Sequence, residues 1–340
     1  MPITIKDVAK SAGVSIGTVS NVFNNHPSGY REDTRERVIE AAQKLGYHPN
    51  RIARNLVRRR ASALGVGFVQ ASHSLGNNPY LSEVMDGLMT AAREHGYHLM
   101  LYLRIPPEDS RRELSMFLDR SIDGLCMVAP DEGLPILCSI AETRLPLVVI
   151  GAENPYPGAA WIDVDNAAGI EMSIDYLYKA GHRKIAHLAG PYKQRSARIR
   201  EDAYKTAMSE RGLPIPETYI TRSGYEVEGA YEAAFPLLSQ RDRPTAICAA
   251  SDEIALGALS AARKLGISVP GQLSLVGFDD IRESRYITPT LTTVKQPTKQ
   301  IGYCAAKWLI QSLSDASLPN LQERVAPVLI ERDSVAPPAV

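Results

Sequence analysis

Between residues 64 and 280 the chain alternates short, uninterrupted apolar runs with stretches long enough for a helix. LGVGFVQ (64–70) precedes a helical stretch at 80–95, YHLMLYL (97–103) one at 111–120, DGLCMVA (123–129) one at 134–143, and PLVVIG (146–151) closes the series. After WIDVDN (161–166) the alternation restarts with KIAHLAG (184–190), TAICAA (245–250) and LSLVGFDD (273–280), each beside a helical segment. Strands apolar on both faces belong in parallel sheets covered by helices, so the pattern predicts an open α/β fold. Two successive runs of such units predict two similar lobes with a cleft between them. Ligands of such sheets bind outside the carboxyl ends of the strands, which directs attention to the residues just after each run.

The first sixty residues lack that alternation and differ in charge. They hold three lysines and eight arginines against five acidic residues, a net +6, while the other 280 residues carry −6. A basic segment on an acidic body points to a polyanionic partner for this part alone. Three short helices are predicted. The first, over about 5–11, buries Val8, Ala9 and Ala12; the second starts at Ser15; the third, over about 32–45, sets Val38, Ile39, Ala42 and Leu45 on one side. Gly13 suits the positive φ of a tight turn, and Ser15 offers an oxygen to cap the second helix. Short helices joined by such a turn form a helix-turn-helix pattern.

On the second helix Val19, Val22 and Phe23 face inward, and Gly17, Ser20, Asn21 and Asn24 form the opposite face. Gly17 costs roughly 1 kcal/mol relative to alanine in a helix interior. A small, uncharged, hydrogen-bonding face suits a DNA major groove, where bulk is penalised and amides or hydroxyls meet base edges. The alternative is an ordinary solvated helix face, although such faces usually carry Lys and Glu. In YHPNRIARNLVRRR (47–60), Pro49 and Asn50 are placed to start a helix, and Ile52 and Leu56 lie one turn apart. A helix this short needs support, with Leu56 free to wedge between bases of a minor groove. A basic interdomain linker is the alternative.

The runs IKDVAKSAGVSIGTVSNVFN and TRERVIEAAQKLGYHPNRIARNL resemble the N-terminus of the lactose/galactose repressor (LacI) family of bacterial transcription regulators. The resemblance implies that the second helix reads the major groove and that the PNxxAxxL hinge folds on the operator, where Leu56 opens the central base step. It places Thr4, Ser15, Ile16, Gly17, Thr18, Ser20, Asn21, Asn24 and Tyr47 on DNA, together with Asn50, Ala53, Arg54 and Leu56 of the hinge. Ile16 is suited to a thymine methyl, Asn21 is the best polar reader, and Gly17 permits close approach of the backbone. The loop NNHPSGYRE (24–32) is about one residue longer than usual and lacks the serine that caps the third helix.

The likeness continues through NNPYLSEVMDGLMTAAREHGY (77–97), DNAAGIEMSIDYLYKAGHRKIAHLAGP (165–191), SDEIALGALSAARKLGISVPGQLSLVGFDD (251–280) and TPTLTTVKQP (288–297). These resemble the family's sensor domain, similar to periplasmic sugar-binding proteins, in which the chain crosses between lobes three times, here near 163, 291 and 325. The expected architecture is an all-α helix-turn-helix domain at 1–48, a hinge at 49–61 and a two-lobed α/β domain at 62–340. The N-lobe then spans about 62–163 and 292–324, and the C-lobe about 164–291 and 325–340. The resemblance puts Tyr80, Ser196, Arg200, Tyr225, Ser251 and Asp279 on the effector. It also marks a departure: after LPLVVI the family often has an acidic ligand-binding residue, where this chain has Gly151 and Ala152. The space so left opens the reading to a larger, phosphorylated or acidic ligand. Asp252 reads as a helix N-cap, and DVDN (163–166) as a turn and cap rather than a metal pair.

No Walker loop, GxSxG, HExxH or zinc-finger pattern occurs, and the four cysteines form no CxxC pair, so no enzyme, metal or cofactor is expected. The longest apolar runs are too short for a bilayer, and MPITIKDVAK lacks a secretory leader's apolar core, which points to the cytoplasm. IERDSVAPPAV carries no leucine heptad, arguing against a coiled-coil tetramer. The expected function is a ligand-responsive repressor that binds a pseudo-palindromic operator in double-stranded DNA as a homodimer, controlled by a sugar, a sugar derivative or a nucleoside. The alternative is a cytoplasmic solute-binding or sugar-modifying protein built on the two-lobed body.

Overall fold

The computed structural model describes residues 3–24, 27–48, 60–68, 78–103, 110–315 and 317–339. They form two compact units, divided between Ala61 and Ser62. In the first, α1 (Ile5–Ala12), α2 (Ile16–Phe23) and α3 (Glu32–Leu45) enclose a small core around Val8, Val19 and Val38, all fully buried. Gly13 takes φ +65° between α1 and α2, and the Ser15 Oγ accepts the Thr18 N–H at 3.0 Å, so turn and cap form as the sequence predicts. Asp7 accepts the Thr4 N–H at 2.9 Å and the Thr4 hydroxyl at 2.7 Å at the start of α1. No side chain caps α3 at Arg31. The hinge residues Asn50, Ala53, Arg54 and Leu56 lie outside the described residues.

The second unit holds two six-stranded sheets. The first has the order β11 (Gln322–Val325), β5 (Ala160–Val164), β4 (Leu147–Ile150), β3 (Gly124–Val128), β1 (Ala63–Phe68), β2 (His98–Leu103). The second runs β12 (Val328–Ile330), β10 (Thr292–Lys295), β9 (Ser274–Asp279), β8 (Ala246–Ala249), β6 (Ile185–Ala189), β7 (Ile220–Arg222). Every pairing is parallel except β10 with β12. Strands β1, β3, β4, β5, β6 and β8 are buried along their whole length, as strands covered by helices on both faces must be. The helices are α4 (Pro79–Glu94), α5 (Ser110–Leu118), α6 (Pro135–Ala141), α7 (Asn166–Lys179), α8 (Arg195–Glu210), α9 (Val227–Leu238), α10 (Asp252–Lys264) and α11 (Thr298–Ser312).

The chain passes from the first sheet to the second between β5 and α7, and again between β11 and β12, within two residues of the expected points 163 and 325. The crossing expected near 291 is displaced. Strand β10 pairs with β9 from Thr292↔Val276 to Lys295↔Asp279 and so belongs to the second lobe, and the chain returns to the first lobe only at Gln296, before α11. Leu291, Thr292, Thr293 and Val294 are all buried there, against the second lobe. On the first lobe α4 and α11 meet backbone to backbone. A Cβ added at Gly87 would overlap the Lys299 carbonyl, and one at Gly302 would overlap that of Val84.

Candidate functional site

A cavity with about 760 Å³ of atom-free space, part of it open to solvent, lies between the two lobes. Its walls are strand ends: Phe68 of β1, Gly151 after β4 and Asp163 of β5 from one lobe, Ser251 after β8 and Asp279 of β9 from the other, and Gln296 at the crossing after β10. All six residues expected on the ligand, Tyr80, Ser196, Arg200, Tyr225, Ser251 and Asp279, line it.

Arg200 on α8 is 5% exposed and held from three sides. Its Nε donates to Asn166 Oδ1 at 2.7 Å, its Nη1 donates to the Ala250 carbonyl, and its guanidinium stacks 3.7 Å over the Phe278 ring. A fork fixed at these points keeps its planar geometry with little freedom left to lose on binding a ligand. Tyr80 sits in the first turn of α4, where the Asn78 side chain accepts the Leu81 N–H at 2.9 Å. Tyr225 covers Gly190, where an added Cβ would stand 2.6 Å from the ring.

The space expected beside Gly151 is filled. Gly151 has φ +75°, and a Cβ there would lie 2.8 Å from the Tyr80 hydroxyl oxygen, so backbone conformation and Tyr80 together admit no side chain. The cap expected at Asp252 falls instead to Ser251, which also lines the cavity. Ser251 caps α10, accepting the Ile254 N–H at 3.1 Å, whereas Asp252 follows it as a fully buried carboxylate. Asp252 accepts the Ser284 hydroxyl at 2.6 Å, the Ile281 N–H at 2.9 Å and the Thr293 hydroxyl, and so ties α10 to the segment after β9 and to β10 itself.

The wall residues that went unanticipated include Asp163, Gln194, Glu253 and Gln296. Asp163 and Gln296 stand at strand ends, the signal that locates such sites, but DVDN reads equally well as turn and cap. The cap in that motif is Asp165, which accepts the Ala168 N–H at 2.9 Å. Burial raises the carboxyls of Asp163 to about 6 and Glu253 to about 7. Asp279, whose side chain accepts the Gln296 amide, is raised to about 8, again chiefly by burial and against the pull of Arg200. Three carboxyl groups thus face one guanidinium that is already committed to protein partners. Among the described residues no group of His, Cys, Asp and Glu is arranged to hold a metal ion.

In the first unit, Ile16 is 44% exposed, and Gly17 is exposed with only the Ser15 Oγ, at 3.6 Å, near an added Cβ. Nothing inside the protein therefore requires a glycine at 17. The remaining expected contacts are already engaged locally. The Thr18 hydroxyl lies 2.9 Å from that of Ser15, and the Asn24 amide donates to Ser20 at 3.2 Å. Asn21 rests against Gly29, where an added Cβ would overlap its amide nitrogen, and Tyr47 packs on Phe23 with ring centroids 5.8 Å apart.

A helix-turn-helix unit with a small exposed face, followed by two α/β lobes around a polar cavity, defines a ligand-responsive DNA-binding regulator. Comparison with known proteins supplies the family. Residues 4–50 match bacterial regulatory proteins of the lacI family, and residues 174–335 match the periplasmic binding protein-like domain. The HTH-type transcriptional repressor PurR of Klebsiella pneumoniae (strain 342) is 33% identical over 98% of this chain and 97% of its own length. The PurR of Escherichia coli O1:K1 / APEC is 34% identical over 98% and 97%. Among solved structures, the Lac repressor dimer bound to operator and the anti-inducer ONPF superimposes with a TM-score of 0.88 at 27% identity, covering 99% of this chain and 100% of that one. The CelR–cellobiose complex gives 0.76 at 27% identity, covering 98% and 99%. The chain belongs to the LacI family and is a ligand-responsive DNA-binding transcriptional regulator, not an enzyme. No helix among the described residues is long and apolar enough to cross a membrane.

Proposed function

We propose that this protein is a cytoplasmic homodimeric repressor of a pseudo-palindromic operator, released or engaged by an uncharged polyhydroxylated effector bound between the lobes. The observation that carries the effector class is the cavity wall: Asp163, Glu253 and Asp279 against Arg200, the one cation among the described wall residues, with Tyr80 and Tyr225 as flat faces. Carboxyl oxygens accept hydrogens from hydroxyl groups, aromatic faces pack against a sugar ring, and an anionic ligand would meet like charge at Asp163, the most readily ionised of the three. The CelR structure, in complex with cellobiose, supports a carbohydrate; the Lac repressor structure, a dimer on operator, supports the assembly and its DNA partner.

On DNA, the exposed start of α2, Ile16 and Gly17, makes the closest approach to the bases. Thr4, Ser15, Thr18, Ser20, Asn21, Asn24 and Tyr47 frame it, and Asn50, Ala53, Arg54 and Leu56 complete the contact at the hinge. An effector shifts DNA affinity only as far as it prefers one lobe arrangement. The test is a thermal-shift panel of neutral sugars, sugar acids, sugar phosphates and nucleosides, followed by gel shift on DNA selected from a random pool across a salt series. A neutral sugar is expected to stabilise the protein and to change its affinity for one selected sequence. Stabilisation by anionic ligands alone, or by nucleosides alone, overturns the effector class; no preference among DNA sequences overturns the regulator.

A further inference from the structure

We propose that the first lobe carries a second ligand site, for a small organic cation with an ammonium or guanidinium head, at the end of its sheet remote from the cavity between the lobes.

A depression with about 770 Å³ of atom-free space, part of it open to solvent, is lined by Leu147 at the start of β4 and Ala160 at the start of β5. The cavity between the lobes is lined at the carboxyl ends of the same parallel strands, so the two lie at opposite ends of the sheet. Trp308 and Ser312 of α11, Tyr156 before β5, and Asp315 and Asn320 beyond α11 complete the walls. These walls are tied together without a ligand. The Trp308 Nε1 donates to the Pro319 carbonyl at 3.0 Å, and the Asn320 amide donates to the Gly158 carbonyl at 2.7 Å.

Charge at this end has one sign. Among the described lining residues there is no lysine, arginine or histidine, and there is one acid, Asp315. Its Oδ1 accepts the Ser317 hydroxyl at 2.6 Å and the Ser317 N–H at 2.9 Å, which hold the carboxyl below its ordinary range. Its Oδ2 takes no hydrogen bond from the described residues. Asp315 also stands three residues past the end of α11, at the negative end of the helix dipole, and α11 has no basic residue in its last turn. Carboxylate and helix terminus therefore add their negative potentials, with no cation in the lining to offset them. Trp308 and Tyr156 supply ring faces, which attract a cation through their quadrupoles. This combination suits an organic cation: an anion is repelled, and a neutral molecule gains nothing from the charge. A bare metal ion lacks ligands, since no group of His, Cys, Asp and Glu among the described residues is arranged to hold one.

The test uses the full-length protein carrying ¹⁵N in its two tryptophans, Trp161 and Trp308, with butylguanidinium and its neutral counterpart butylurea as probes. Trp308→Phe assigns the indole resonance. Butylguanidinium is expected to shift the Trp308 resonance saturably, and butylurea to bind at least about 5-fold more weakly. Asp315→Asn, an exposed change, should weaken butylguanidinium about 2- to 5-fold and leave butylurea unchanged. Absence of a shift at Trp308 overturns the site, and equal affinities for the two probes overturn its chemistry. A cation held equally well by Asp315→Asn is bound elsewhere, at the acids between the lobes, and overturns the proposal too.

Discussion

Glu132 of the first lobe and Arg195 of the second are joined across the cleft, Oε1 to Nη1 at 2.9 Å, beside the cavity that Gln194 and Ser196 line. Arg198 adds a second ion pair to the same carboxylate, and the Glu132 N–H donates to the Lys193 carbonyl at 2.8 Å. The three side chains are about one third exposed, so each pair contributes at most about 1 kcal/mol and is screened by salt. Their value is positional, because they hold one lobe arrangement. Glu132→Gln is expected to weaken the affinity for a sugar identified in the panel by about 2- to 5-fold at low salt. The difference should vanish near 1 M NaCl in isothermal titration; equal affinities at low salt would show that the contact does not govern closure.

Arg200→Ala removes the groups that hold Asn166 Oδ1 and the Ala250 carbonyl and leaves Asp163 and Asp279 without their neighbouring cation. Loss of the ligand response is expected, with a destabilisation of about 2–4 kcal/mol in the second unit. DNA binding without ligand should persist, because the helix-turn-helix unit folds around its own core. Arg200→Lys should not restore the response, since a single ammonium cannot span Asn166, Ala250 and the Phe278 face together. Gel shift with and without sugar checks both; recovery by lysine would reduce Arg200 to a point charge.

The raised carboxyls give a pH dependence of definite sign. Asp163, Glu253 and Asp279 stand at about 6, 7 and 8 in the fold, above the ordinary carboxylate range near 4. Their protonated forms are favoured by folding, so that contribution is complete below about pH 4 and is lost as pH rises through 6 to 8. The ligand-free Tm should therefore fall between pH 5.5 and 8.5, and fall less in Asp279→Asn, which cannot ionise. A sugar that donates to the ionised carboxylates releases protons on binding, visible at pH 7 as a dependence of the binding enthalpy on the buffer. A wild-type Tm profile that matches Asp279→Asn would refute the account.

Two glycines should respond in opposite ways to alanine. At Gly17 an added Cβ would meet only the Ser15 Oγ, at an ordinary contact distance of 3.6 Å, so Gly17→Ala should raise hydrogen-exchange protection in α2 by about 0.5 kcal/mol. The same change should weaken binding to selected DNA, because the methyl group meets the groove rather than the protein. At Gly302 the Cβ would overlap the Val84 carbonyl, and Gly302→Ala should destabilise the second unit by about 1–3 kcal/mol or more with no direct effect on DNA contacts. Unchanged DNA affinity in Gly17→Ala would remove the reason offered for the glycine.

Much of this was legible in the chain. Val8, Val19 and Val38, Gly13 and the Ser15 cap follow from spacing and turn chemistry, and the long apolar strands stand where their runs lie. Tyr80, Arg200 and Asp279 come from a resemblance rather than from periodicity. The short edge strands β7, β11 and β12 were not visible: mostly exposed residues such as Gln322–Val325 carry no apolar signal, the apolar Val328–Ile330 is only three residues long, and such segments become strands only when a neighbour supplies the ladder.

Local propensity and apolar period were thus enough to determine the longer elements, their order and the mainly parallel character of the sheets, since each depends on residues close together in the chain. Which side chains share the cavity was decided only in three dimensions. Asp163 and Arg200, Tyr80 and Gly151, Glu132 and Arg195 are far apart in sequence, and whether a carboxylate is buried, paired or aimed at a ligand depends on strands and helices that meet only after folding.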